Sequence, residues 1–171
     1  MPFGDFLRAT ILASAGAATL LATLTVISVS RDADPVVVYV SLGWWIVAIA
    51  AGLWVGRQAP ASPAIARLLA SARTQTTLPE LRPAATLLNR LWALLASTFA
   101  AGVLAFFLPQ VAAVAAGFAM TWSLAWRRQP AAVAAIEERD ACRFYVDRSS
   151  PLEPIRLVRT PGFGGSFMKT P

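Results

Sequence analysis

Residues 36–55 read VVVYVSLGWWIVAIAAGLWV, twenty positions without a charge or a proline. At helical rise the run covers about 30 Å, the thickness of a bilayer's hydrocarbon core. Tyr39 and Trp54 lie near its two ends, where amphipathic rings favour the headgroup level. The stretch is read as a transmembrane helix.

Three more apolar runs surround it. Residues 9–29 carry no charge, and Arg31, Asp32, Asp34 and Pro35 end that run. Arg8 before it, with Ser28 and Ser30 at its end, also fits a signal peptide. The run nevertheless exceeds the usual h-region of about 7–15 residues, so it is taken as a retained span. Residues 91–108 and 111–126 form a shorter pair separated by Pro109 and Gln110. The last run covers only about 24 Å at helical rise. Either both helices cross, with local thinning and snorkelling at Arg90 and Arg127, or the pair is a re-entrant hairpin. Crossing is preferred, because a re-entrant turn leaves backbone groups needing partners.

The expected fold is therefore an all-α membrane protein with four transmembrane helices in two hairpins. Its parts are a first hairpin (1–56), a basic connector with a short interfacial helix (57–90), a second, shorter hairpin (91–128) and a tail (129–171). Composition agrees. Hydrophobic residues make up 57% and charged residues 14%, against about 25% charged in a typical soluble domain, and mean hydropathy is +0.59. Fourteen of the fifteen basic residues are arginine, Lys169 being the exception. That bias, with abundant alanine, points to a bacterial chain of a high-GC genome. The net charge is +6. The arginines cluster beside apolar segments, which assigns them to topology and anionic lipid headgroups rather than nucleic acid.

Arginine placement sets the expected orientation. The loop after the first run holds one arginine and two aspartates. The connector holds Arg57, Arg67, Arg73, Arg82 and Arg90 against Glu80, and Arg127 and Arg128 follow the fourth run. Basic segments face the cytoplasm, so both termini are expected inside a bacterial cytoplasmic membrane.

The two halves echo each other. Phe6-Leu7-Arg8 and Leu88-Asn89-Arg90 precede corresponding runs, and Arg57-Gln58-Ala59-Pro60 and Arg128-Gln129-Pro130 follow them. Ala64-Ile65 then leads to Arg73, and Ala135-Ile136 to Arg143. Leu78-Pro79-Glu80-Leu81-Arg82 resembles Leu152-Glu153-Pro154-Ile155-Arg156. A tandem duplication accounts for this order, with parallel repeats about an axis along the membrane normal. Chance matches in an alanine- and arginine-rich chain are the alternative.

Outside the runs, residues 63–73 suit a short interfacial helix or a plain connector. Residues 130–140 look helical. Residues 143–147 and 155–159 alternate about Ser149-Ser150-Pro151, which predicts a β-hairpin with Phe144, Val146, Ile155 and Leu157 for packing. An isolated hairpin is marginal in water and needs something to rest on. Residues 161–171 are expected to be a mobile end.

The absences bear on function. The four runs contain no Asp, Glu, Lys, Arg or His, and the chain has no histidine. Proton relays, bis-His haem, Ser-His dyads and zinc proteases need such groups. Cys142 is the only cysteine, so no intrachain disulfide forms, and it is read as a packing residue. Gly162, Gly164 and Gly165 lack the context of a phosphate loop. No catalytic, cofactor-binding or metal-binding residue is assigned.

The hydroxyls in the runs, such as Ser14, Thr25 and Thr121, are expected to bond helix backbone. The pairs Gly52/Gly56 and Ala113/Gly117 are expected at close helix contacts. The leading expectation is a non-enzymatic structural or accessory subunit, docking another membrane protein or a second copy. Candidate partner or lipid contacts are Arg57, Arg67, Arg73, Arg82, Arg127, Arg128, Phe144, Tyr145, Arg156 and Arg159. An oligomeric passive channel or small-solute transporter, lined by hydroxyls of the first and third runs, and a lipid-interacting or membrane-shaping protein are the alternatives.

Overall fold

The computed structural model describes residues 1–32, 35–57, 61–74, 83–147 and 155–161, with the side chains of Arg31 and Asp32 left out. Arg82, the 78–82 half of the repeat, the turn at 149–151 and the glycines at 162–165 lie outside these residues. The chain is mostly helical: α1 (Phe3–Asp32), α2 (Pro35–Val55), α3 (Pro63–Ala70), α4 (Pro83–Leu104), α5 (Pro109–Trp126) and α6 (Gln129–Arg139). Three short strands, β1 (Arg73–Thr74), β2 (Cys142–Val146) and β3 (Leu157–Pro161), form one sheet in the order β1-β3-β2.

Three helical stretches are long and apolar enough to cross a membrane: Phe3–Ser30, Pro35–Val55 and Pro83–Leu104. The fourth expected span, α5, falls short of that standard. It has eighteen residues and opens on Pro109 and Gln110. It differs from the others in position as well as length. α5 lies between α1 and α2, packed along both, while α1 and α2 themselves barely meet. The expected hairpins are thus interleaved, with a helix of the second wedged into the first.

The helix boundaries also differ from the expectation. The third expected span, α4, starts at Pro83, where proline supplies a preset φ at the first turn and loses no hydrogen bond. The tight turn falls at 105–108 instead of at Pro109 and Gln110. Leu108 adopts an extended conformation (φ −139°, ψ 83°), as the residue before a proline prefers. Pro109 then begins α5.

Small side chains permit the central packing. Ser14, Ala17, Ala18, Leu21 and Thr25 of α1 are buried, as are Ala112, Ala113, Ala116 and Gly117 of α5. On α2 the buried positions are Ser41, Ala48 and Gly52, one stripe at helical spacing. The outward faces are apolar and aromatic: Ile46 and Trp54 on α2, and Phe99 on α4, are exposed. α4 is the most peripheral of the long helices, with Ala101 its only buried residue.

At the other end of the bundle from the 105–108 turn, the remaining elements form a cap with its own core. Phe3, Phe6 and Leu7 of α1, Ile65 and Leu69 of α3, Val133 of α6 and Cys142, Phe144, Val146 and Leu157 of the sheet are buried together. The tail hairpin rests on the start of α1 and on α6. β2 pairs antiparallel with β3, from Cys142 opposite Pro161 to Val146 opposite Leu157. The connector adds a strand, β1, which pairs parallel with β3.

Candidate functional site

The cap concentrates the chain's charge. Ser62 caps α3, its hydroxyl accepting from the Ile65 N–H at 3.4 Å. The Ser62 N–H donates to Oε1 of buried Gln129 at 3.0 Å, joining the start of α3 to the start of α6. The Glu137 carboxylate accepts from the Phe144 N–H at 2.9 Å, tying α6 to β2. Between them Ala141 turns the chain with φ 47°, the left-handed position after a helix end that glycine usually fills. On the far edge of β2 the Val146 N–H donates to the Met1 carbonyl at 3.0 Å, and Pro2 bridges to Tyr145.

This framework buries apolar side chains and leaves guanidinium groups outside. Arg57, Arg67, Arg73, Arg127, Arg128, Arg156 and Arg159 are all exposed. So are Arg8, Arg139 and Arg143, which sequence reasoning did not select. Two of these ten form ion pairs among the described residues: Arg8 with Asp5 at 3.9 Å and Arg139 with Asp140 at 2.8 Å. The hydrogen bond from Arg139 holds the Asp140 carboxyl below its ordinary range, assisted by the charges of Arg139 and Arg159, and Asp140 raises Arg139 in turn. Arg128 donates to the Arg57 carbonyl at 3.3 Å, so the exits of α2 and α5 are neighbours.

Phe144 and Tyr145, expected as partner contacts, are instead 2% and 8% exposed. β2 is covered on the Phe144 face by α1 and α6. The cap therefore offers a basic surface with no aromatic anchor among those two residues.

Within the bundle, Gly52 and Gly56 face α5. A Cβ on Gly52 would lie 2.9 Å from both the Leu124 Cβ and the Thr121 carbonyl oxygen. One on Gly56 would meet the Leu124 carbonyl, and one on Gly117 would overlap the Trp44 indole. Trp44 reaches over Gly117 to donate to the Val114 carbonyl at 3.2 Å, and Trp45 donates to the Ala113 carbonyl at 2.9 Å. Thr121 donates to the Ala48 carbonyl at 3.0 Å. No known protein family, curated protein or solved structure matches the chain. Its chemistry must be read from this geometry.

Most hydroxyls along α1 close onto their own helix, whereas Ser28 donates to the Ala105 carbonyl at 3.4 Å. Ser14 donates to the Thr10 carbonyl at 2.9 Å and Thr25 to the Leu21 carbonyl at 2.8 Å. Thr98 on α4 does the same with the Leu94 carbonyl at 2.7 Å. Among the described residues no group of three or more His, Cys, Asp or Glu side chains is placed to hold a metal.

Sequence reasoning missed the roles of Trp44, Trp45 and Gln129. A signal was present for the first two. A tryptophan in mid-span carries an N–H that lipid cannot satisfy, so it seeks a carbonyl in a neighbouring helix. Gln129 gave no comparable signal, because its partner is a backbone group in the other half of the chain.

Proposed function

We propose that this chain is a bacterial integral membrane protein in which α1, α2, α4 and α5 all cross, with both termini and the cap in the cytoplasm. In this reading it is a structural or accessory subunit, and its arginine surface docks the acidic face of a partner protein. The observation that supports it is the contrast between the two ends of the molecule. Ten arginines are exposed on and around the cap, eight of them outside any ion pair among the described residues. Unpaired exposed charge contributes little to folding, but it steers and orders a complementary partner.

Short α5 is compatible with crossing because protein covers much of it. A helix enclosed by neighbours satisfies its surroundings with small residues rather than with lipid-facing apolar bulk. The repeated order of two apolar helices, a shorter helix of 8 or 11 residues and a strand supports a tandem duplication.

The test places a photo-crosslinking residue at 67, 73 or 156 in intact membranes. One partner band common to the three sites, weakened by high salt and by Arg67→Glu with Arg156→Glu, is expected. A chain that extracts as a lone monomer and crosslinks to nothing refutes the docking role. Terminal reporter fusions test the orientation separately, and a C-terminal reporter active outside the cytoplasm refutes it.

A further inference from the structure

Because α5 separates α1 from α2, a lateral groove of about 710 Å³ runs between them. Its walls include Ala15, Ala22 and Ile27 of α1, Ile49 of α2 and Met120 and Leu124 of α5. The hydroxyls that reach it are already spent on their own helices: Thr19 donates to the Ala15 carbonyl at 3.0 Å, Thr23 to the Thr19 carbonyl at 2.9 Å, and Ser123 to the Met120 carbonyl at 3.0 Å. The groove thus suits a long hydrocarbon chain rather than a polar solute.

Its cap-side mouth carries two arginines on the matching helix faces. Arg127 is outside any ion pair among the described residues. Arg8 is in a long, exposed pair with Asp5 at 3.9 Å, a contact weak enough for a phosphate to replace. Arg8 is seven residues before Ala15, and Arg127 seven after Met120. Seven residues return a helix to nearly the same face, about 10 Å along the axis. Arg8 lies in α1, and Arg127 still has helical backbone angles (φ −53°, ψ −30°) at the end of α5. Both are exposed. Each stands just outside the charge-free run of its helix, at the level where headgroup phosphates lie in the four-span reading.

We infer that this groove is a binding site for one anionic phospholipid, an acyl chain lying between α1 and α2 and its phosphate held by Arg8 and Arg127. Charge complementarity selects the occupant: an apolar slot ending at two arginines fits an anionic amphiphile better than a second apolar helix. The inference rests on the membrane reading above but not on the docking role. The other eight exposed arginines of the cap stay available to a protein partner when the groove is filled.

Native mass spectrometry of the detergent-solubilised full chain, titrated with phosphatidylglycerol or phosphatidylcholine, tests it. An arginine near the surface strengthens anionic lipid binding by about fivefold. Arg8→Gln with Arg127→Gln is therefore expected to weaken phosphatidylglycerol binding by about 25-fold and to leave phosphatidylcholine unchanged. Arg139→Gln with Arg143→Gln, exposed on the tail side of the cap and outside the named candidate contacts, is the control and is expected to change little. Thr19→Phe with Thr23→Phe fills the groove and is expected to remove the tight site. An equal loss in the control pair means a diffuse basic surface and overturns the inference. So does unchanged binding in the filled-groove variant.

Phosphatidylglycerol with a photoreactive acyl chain gives a readout that needs no variant. Labelling within residues 15–27 is expected, and labelling confined to the outer face of α4 overturns the site. A chain released from membranes by alkaline washing defeats the membrane reading itself. A chain that stays in the membrane but binds both lipids alike defeats the groove site alone.

Discussion

Gly117→Ala tests the packing logic of the bundle with one methyl group. The new Cβ would fall within the Trp44 indole. Trp44 must rotate away. It then gives up its hydrogen bond to the Val114 carbonyl, 3.2 Å long, and its edge-on contact with Phe118 at 5.4 Å between centroids. The hydrogen bond is worth about 1 kcal/mol and the ring pair about 0.5–1.5 kcal/mol. Overpacking adds about 1 kcal/mol or more. Alanine's better helix propensity returns about 1 kcal/mol. The net loss is about 2 kcal/mol, a fall in Tm of about 4–8 °C. Gly16→Ala is the internal control. Nothing lies within 4 Å of its added Cβ, so only the propensity gain of about 1 kcal/mol remains. Denaturant titration in mixed micelles, followed by helical circular dichroism, gives both values. If Gly117→Ala is as stable as Gly16→Ala, the close approach of α2 and α5 is not what holds the bundle.

Three further outcomes follow for the cap. Phe144→Ala removes a core side chain that is 2% exposed and is expected to cost about 3–5 kcal/mol; limited proteolysis should then cut the tail while the bundle keeps its helical signal. Gln129→Ala leaves the Ser62 N–H without its acceptor, a loss of about 1–3 kcal/mol, read as earlier thermal exposure of α3 to amide exchange. Ala141→Gly relieves the left-handed backbone at φ 47° and is expected to stabilise the cap by up to about 1 kcal/mol, raising its melting temperature without changing the bundle.

How far the sequence led depended on the range of the interaction. Long charge-free runs made α1 and α2 legible, because span length is a local property. The start of α4 at Pro83 was hidden, since its first turns carry Asn89 and Arg90 and lack the uniform apolarity that marked the other runs. Gly52, Gly56, Ala113 and Gly117 stood out as small residues at helical spacing, but their partners did not. Spacing reports a face and says nothing about which helix covers it. The tail hairpin was visible in the alternation of 143–147. Its support was not, because the residues it rests on come from the first seven positions, from α3 and from α6, far apart in sequence. The arginine sites were legible as exposed charge, and Phe144, Val146 and Leu157 pack as the alternation predicted, although Phe144 was also expected to meet a partner. Tyr145, on the other face of β2 and expected only as a partner contact, is buried as well; alternation separates the two faces of a strand and does not report that both are covered.

The interleaving of the hairpins links the two ends of the molecule. If each hairpin packed only on itself, the connector and the tail would be joined only through the chain. With α5 held between α1 and α2, the exits of α2 and α5 are brought together, which is why Arg128 reaches the Arg57 carbonyl and Gln129 reaches Ser62. α3 and α6 then start from neighbouring points, and their short strands can flank β3 on its two sides. The same wedge that assembles the cap also holds α1 and α2 apart and opens the groove between them. Mutations that loosen α5, Gly117→Ala among them, should therefore weaken the cap and the groove together, although neither contains Gly117.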